Sequence, residues 1–322
     1  MRNSLGLALR GTEEMRRKGR SPWRQAGRRF ARKKAAMAAL AIILIVYLAG
    51  FFAPWVAPYS HSEQNLDAAN LGLSLKHPLG TDRLGRDILS RIIWGARTAA
   101  IVSLAAVGTG SMLFGVVLGC LAGYLGRWMD TIVMRLGDIF LAFPSLLLVI
   151  LIAATVKPRV SGLISQLEES TGIEGLLASG VVDYFVVFGA LSIIAWVGMA
   201  RLVRGQILSL RERQFVEAAE ALGASTFRIL FVHLMPNVLS LVLVAASMAM
   251  ASAVTSEVVL SWLGVGIQPP NPSWGTMIWE NAGMLRAHPH LLLVPSIVVG
   301  IVIFSFNILG DGLNDALNPR LH

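Results

Sequence analysis

Six continuous apolar runs, at about 35–52, 98–124, 132–155, 184–200, 239–256 and 291–309, constrain this chain more than any other feature. A helix needs about 20 mostly apolar residues to cross a hydrocarbon layer of roughly 30 Å, and these runs approach or exceed that length. A membrane-spanning backbone must bond internally, which leaves helices or a closed barrel. The runs are continuous rather than alternating, so the barrel pattern is excluded. With 55% hydrophobic and 15% charged residues in 322, the chain carries more apolar side chain than a globular core of this length can hide. The expectation is an all-α integral membrane protein with six transmembrane helices.

Charge sets the expected orientation. The net charge is +9, and twelve of the 28 Lys and Arg residues precede Ala35, from Arg2 to Lys34. A basic flank beside the first run holds the amino end in the cytoplasm under the positive-inside bias, and nucleic-acid binding is the less favoured use of such a tail. The leader is too long, and its apolar run longer than usual, for a cleaved signal peptide. Residues 1–34 therefore read as a basic cytoplasmic tail, 35–57 as an uncleaved first span and 58–97 as an external segment. Residues 98–310 read as a five-helix core and 311–322 as a cytoplasmic carboxyl tail. The loop with Arg201, Arg204, Arg211, Arg213 and Arg228 falls inside, and Lys157–Asp183, with Glu168, Glu169 and Glu174, falls outside. The external segment dissents, with Lys76, Arg83, Arg86, Arg91 and Arg97, although Asp82 and Asp87 stand ready to pair there.

Within the second run Gly115, Gly119 and Gly123 recur every fourth residue, a pattern that lets helix backbones approach closely, within the chain or against a sister subunit. Ionisable residues inside membrane runs are expensive and mark candidates for a translocation path or gate. Here they are Arg135 and Asp138, three apart and able to pair, and Glu257, at a cavity mouth or in a local polar bond. Cys120 lies in an apolar run and reads as packing. His288 and His290 lack helical spacing and cysteine neighbours, so no metal site is expected. Pro269, Pro270 and Pro272 with Trp262, Trp274 and Trp279 read as a stiff outer segment with indole rings at headgroup level.

The segment between the fourth and fifth runs, 211–236, reads as helix, break, helix. Residues 211–222 are good helix formers, Gly223 suits a left-handed carboxyl cap, Ser225 caps the next turn and Pro236 stops or bends the chain beyond it. The first helix is expected to set Phe215, Ala218, Ala219 and Leu222 on one side, where small alanines admit another protein's surface. An amphipathic helix resting on lipid headgroups is the plainer alternative.

Glu217-Ala218-Ala219, then Gly223 and Pro236, resembles the EAA loop by which permeases of ATP-binding-cassette (ABC) importers dock on their ATPase subunits. His233 and Met235 depart from the general pattern, and His at that place is common in the dipeptide and oligopeptide branch. The stretches from His77 to Asp87, from Leu260 to Gly275 and from Phe306 to Arg320 are similar to the C-type permease subunit of that branch.

The resemblance implies a type I ABC importer permease fold with a cytoplasmic coupling helix, in which Arg213, Phe215, Glu217, Ala218, Ala219, Leu222, Gly223 and Pro236 meet the ATPase. It further implies a bacterial or archaeal cytoplasmic membrane, a homologous B-type permease, two ATP-binding subunits and an external substrate-binding protein. The chain has no Gly-Lys-Ser/Thr phosphate loop, so ATP and Mg belong to partners and no cofactor is expected here. Cargo in that branch spans dipeptides, longer peptides, glutathione, nickel chelates and sugar oligomers. An intramembrane enzyme would need a nucleophile with a base or paired acids at matching depth, and none is apparent. A channel or secondary transporter would show charged or broken helices at mid-bilayer, and the runs suggest few.

Overall fold

The computed structural model describes residues 22–317, and within them the chain is helical, with a single isolated bridge between Thr81 and Asp87 in place of strands. Helix α1 spans Pro22–Ala31 and α2 Lys34–Phe51. Then come α3 (Ile88–Leu125), α4 (Arg127–Leu141), α5 (Ser145–Thr171), α6 (Val181–Arg211), α7 (Gln214–Ala221), α8 (Thr226–Trp262), α9 (Trp274–Asn281) and α10 (Pro289–Leu317). Six of these, α2, α3, α5, α6, α8 and α10, are long and apolar enough to cross a membrane. Residues 1–21 of the basic tail and 318–322 of the carboxyl tail lie outside the described residues.

The first and last crossings are neighbours: α10 packs along both α2 and α8. A Cβ at Gly312 would stand 2.4 Å from that of Ala36, and Lys33 is ion-paired with Asp315. At the centre α3 packs against α2, α6 and α8. Large apolar side chains on the rim, among them Ile45, Leu151, Ile297 and Phe304, are exposed, as a lipid-facing surface requires. We call the end of the bundle that carries residues 57–87 and 263–288 the upper end, and the end that carries 212–225 the lower end.

Four boundaries differ from the sequence reading. Helix α3 begins at Ile88, ten residues before the apolar run, because the Asp87 carboxylate accepts from the Ser90 amide at 2.8 Å and caps the helix there. Helix α10 runs on to Leu317, so 311–317 is helix rather than tail. The acidic segment after Lys157 is no loop up to Thr171: Gln and Glu are good helix formers, and α5 continues through Pro158 until Gly172 caps it in the left-handed region.

The largest difference is the third crossing. The run 132–155 is broken at Ala142–Pro144, since the residue before a proline is pushed away from helical angles and Pro144 has no N–H. Helix α4 climbs beside α6 from the lower end, with Phe140 packed edge-on against Trp196. That tryptophan lies midway along the 31-residue α6, so the break sits near the middle of the bundle's height.

Candidate functional site

The lower end is built around α7. Helix α6 ends at Arg211, Arg213 takes an extended conformation (φ −89°, ψ 144°), and α7 starts at once. It closes in a Schellman turn: the Ala224 amide donates to Ala219 O at 3.0 Å and the Gly223 amide to Glu220 O at 2.9 Å. Gly223 sits at φ +75°, a region that penalises any side chain. The Ser225 hydroxyl then accepts from the Arg228 amide and opens α8. Pro236 does not stop that helix. The π-helical turn Ile229–Leu234 precedes it, and the Asn237 side-chain amide donates to His233 O at 2.7 Å, so the helix passes through the proline.

Val216 and Ala219 face inward, on a cluster with Val203, Ile207, Ile229, Leu230 and Leu234. Ala219 is therefore not on the outer side with Phe215, Ala218 and Leu222, because its position three residues from Val216 puts it on the buried face. Phe215, Ala218 and Leu222 form the exposed stripe, and Leu222 is 87% exposed. Phe227, at the start of α8, is also exposed, and its ring lies tilted 4.5 Å from that of Phe231. Arg213 and Glu217 are exposed, with no ion partner among the described residues. The Arg211 guanidinium donates to Gly123 O and Tyr124 O–H to the Glu220 carboxylate, tying α7 and its approach to the lower end of α3.

The glycine series joins that lower end to the bundle within the chain. A Cβ at Gly115, Gly119 or Gly123 would meet α6 at 2.6 to 2.8 Å, at Met199, Ala200 and Ile207 in turn. Buried Cys120 sits on the same helix.

Arg135 and Asp138 do not pair with each other. They lie on α4, and Asp138 accepts from Arg201 of α6 at 2.6 Å, while Asp130 pairs with Arg204. Arg135 has no ion partner among the described residues. Glu257 does not stand at a cavity mouth. It is buried on α8, where one carboxylate oxygen accepts from Ser261 at 2.8 Å and from Ser273 at 2.7 Å.

The upper end is a dense polar core. Asp82 accepts from Arg86 and Arg91, both at 2.6 Å, and both guanidinium groups reach Glu280 of α9 at 2.8 Å. All four are nearly buried, so Arg86 and Arg91, two of the five dissenting cations of this segment, are neutralised internally. Gly80 and Gly85 have φ of +80° and +71°, and a Cβ at Gly85 would fall 1.7 Å from Asn65 O, which explains the glycines of the stretch from His77 to Asp87. Asp87 also holds His77 Nδ1 at 2.9 Å. Trp274 is fully buried rather than at headgroup level: its indole N–H donates to Ile92 O at 3.1 Å and its ring lies against Gly95. Trp262 and Trp279 are exposed. Glu280, Trp274 and Ser273 went unnoticed as a unit in the sequence, although the spacing of Ser273 and Thr276 is that of the capping box they form.

The chain thus has six candidate crossings with a capped surface helix inserted between the fourth and fifth. The family model described as binding-protein-dependent transport system inner membrane component matches residues 115–322, and that for the N-terminal TM domain of oligopeptide transport permease C matches 21–78. The chain belongs to this family of binding-protein-dependent permeases, the multi-pass membrane components of ABC importers. It is similar to the dipeptide transport system permease protein of Alkalihalophilus pseudofirmus, 38% identical over 301 residues, 94% of this chain and 91% of the relative. It is also similar to the oligopeptide permease protein of Bacillus subtilis, 38% over 309 residues (96% and 93%). The glutathione permease protein of Pectobacterium atrosepticum is 37% identical over 303 residues (94% and 92%).

Proposed function

We propose that this chain is one permease half of a peptide importer, working with a homologous permease, two ATP-binding subunits and an external substrate-binding protein. The observation that carries the reading is α7: a short helix capped at its carboxyl end, joined directly to two crossings, whose outward stripe of Phe215, Ala218 and Leu222 is exposed among the described residues. An apolar stripe beside exposed Arg213 and Glu217 suits a protein groove. Relatives named for dipeptide, oligopeptide and glutathione transport support a peptide as cargo.

In this reading the lower end, with both termini, is cytoplasmic. Lys34, Arg127, Arg211, Arg213 and Arg228 cluster there, and at the upper end Arg86 and Arg91 are neutralised by Asp82 and Glu280. ATP and Mg stay on the partner subunits, and this chain performs no covalent chemistry. Closure of the ATPase pair pushes α7, and α6 and α8 carry the motion into the bundle as rigid bodies.

The test is a pull-down of the ATP-binding subunits by Glu217→Arg and Gly223→Pro variants that still insert in the membrane. Loss of association is expected in both, and full association in both overturns the role of α7. Orientation is checked with Phe227→Cys in a Cys120→Ala chain: an impermeant thiol reagent should react only from the cytoplasmic side.

A further inference from the structure

Two contiguous cavities open beside the break in the third crossing, with volumes of about 310 and 420 Å³. They share Ser145, Leu146, Ser252 and Ser256, and one extends to Thr255 and Asn307. Each falls within the size range of small-ligand pockets. No lining residue carries a formal charge. Ser145, Ser252, Thr255 and Asn307 are exposed within the spanning helices, and Ser145, Ser256 and Asn307 have no side-chain hydrogen-bond partner among the described residues.

Hydrocarbon is an unsuitable neighbour for this surface. An unpaired hydroxyl or amide there costs several kcal/mol. The backbone adds to the demand, because the first amides of α5 have no intrahelical partner and no side chain caps them. Irregular backbone at membrane depth is tolerated where it is buried in protein or lines water. Here it opens on the cavities.

We propose that this groove is a water-filled wall of the substrate path, and that its hydroxyl and amide groups hold the main chain of a passing peptide. The inference rests on the importer reading above and names the part of the chain that meets cargo. Each lining hydroxyl both donates and accepts, as a peptide amide does, and the absence of charge leaves side chains of either sign equally admissible.

The test uses the complete reconstituted importer with this chain as Cys120→Ala, carrying Ser145→Cys, Ser252→Cys, Thr255→Cys, Ser256→Cys or Asn307→Cys in turn. A charged, membrane-impermeant thiol reagent should modify these positions at rates that change with ATP, while Phe304→Cys on the rim stays unreactive. The peptides of a tryptic casein digest, presented with the binding protein, should slow modification. Groove cysteines as inert as Phe304→Cys in every nucleotide state overturn the water-filled wall. Reaction without protection overturns the peptide contact. Either result can coexist with normal ATPase association through α7, so failure of this proposal is distinguishable from failure of the importer reading.

Discussion

The two ends of the bundle solve opposite problems. At the upper end every strongly charged group of the Asp82, Arg86, Arg91 and Glu280 cluster is matched inside the chain, and Trp274 is locked under it. At the lower end α7 keeps Phe215, Leu222, Arg213 and Glu217 in the open. A surface that has satisfied itself is a fixed frame. One left unsatisfied at named positions is free to meet a partner, as the proposed function requires. Stability should therefore depend mainly on the upper end, and assembly on the lower.

The comparison is most easily broken at Arg91. Arg91→Ala leaves Asp82 and Glu280 under-compensated, and thermal unfolding in detergent should report a loss of about 3–5 kcal/mol. An unmoved transition there would mean the upper cluster is not the frame. Gly119→Leu drives a side chain into Ala200 O and should cost about 1–3 kcal/mol by the same measurement, with α3 and α6 separated. Ser273→Ala removes the cap of α9 and one donor to Glu257, an expected loss of about 1 kcal/mol. Leu222→Ala should leave unfolding within about 0.5 kcal/mol while weakening capture of the ATP-binding subunits. If it destabilises as much as Ser273→Ala, the lower end is not a free surface.

The smallest effect is a pH dependence. Burial, then the charges of Arg91 and Arg97, hold His61 below the ordinary histidine value. Its ring stacks 4.4 Å from that of Trp94. The unfolded chain takes up this proton more readily, so stability rises with pH across the window between the lowered value and the ordinary 6.5. The contribution is whole above 6.5 and fades on acidification below it; His61→Phe should flatten that slope.

Much of this was legible in the residues. Six runs of hydrocarbon length announced six crossings, and Gly223 and Ser225 marked the turn between α7 and α8. The break at Pro144 was hidden because hydropathy does not fall across Ala142-Phe143-Pro144: a run apolar throughout looks the same whether continuous or snapped. The extension of α5 was hidden by the opposite bias, since a polar stretch after Lys157 reads as loop even when its residues favour helix. Ala219 and Trp274 were misplaced because composition says what a side chain tolerates, and only the packed neighbours say which way it points. The pairing of Asp138 with Arg201 spans 63 positions and has no local signature.

The glycines of α3 have a mechanical consequence. At Gly115, Gly119 and Gly123 the clearance to α6 is less than a methyl group, turn after turn. A joint that tight has no backlash: nothing compresses before the load is shared, so a shove on one member arrives at the other undiminished. Adding carbon at any of the three would introduce play into the linkage and leave its parts list unchanged.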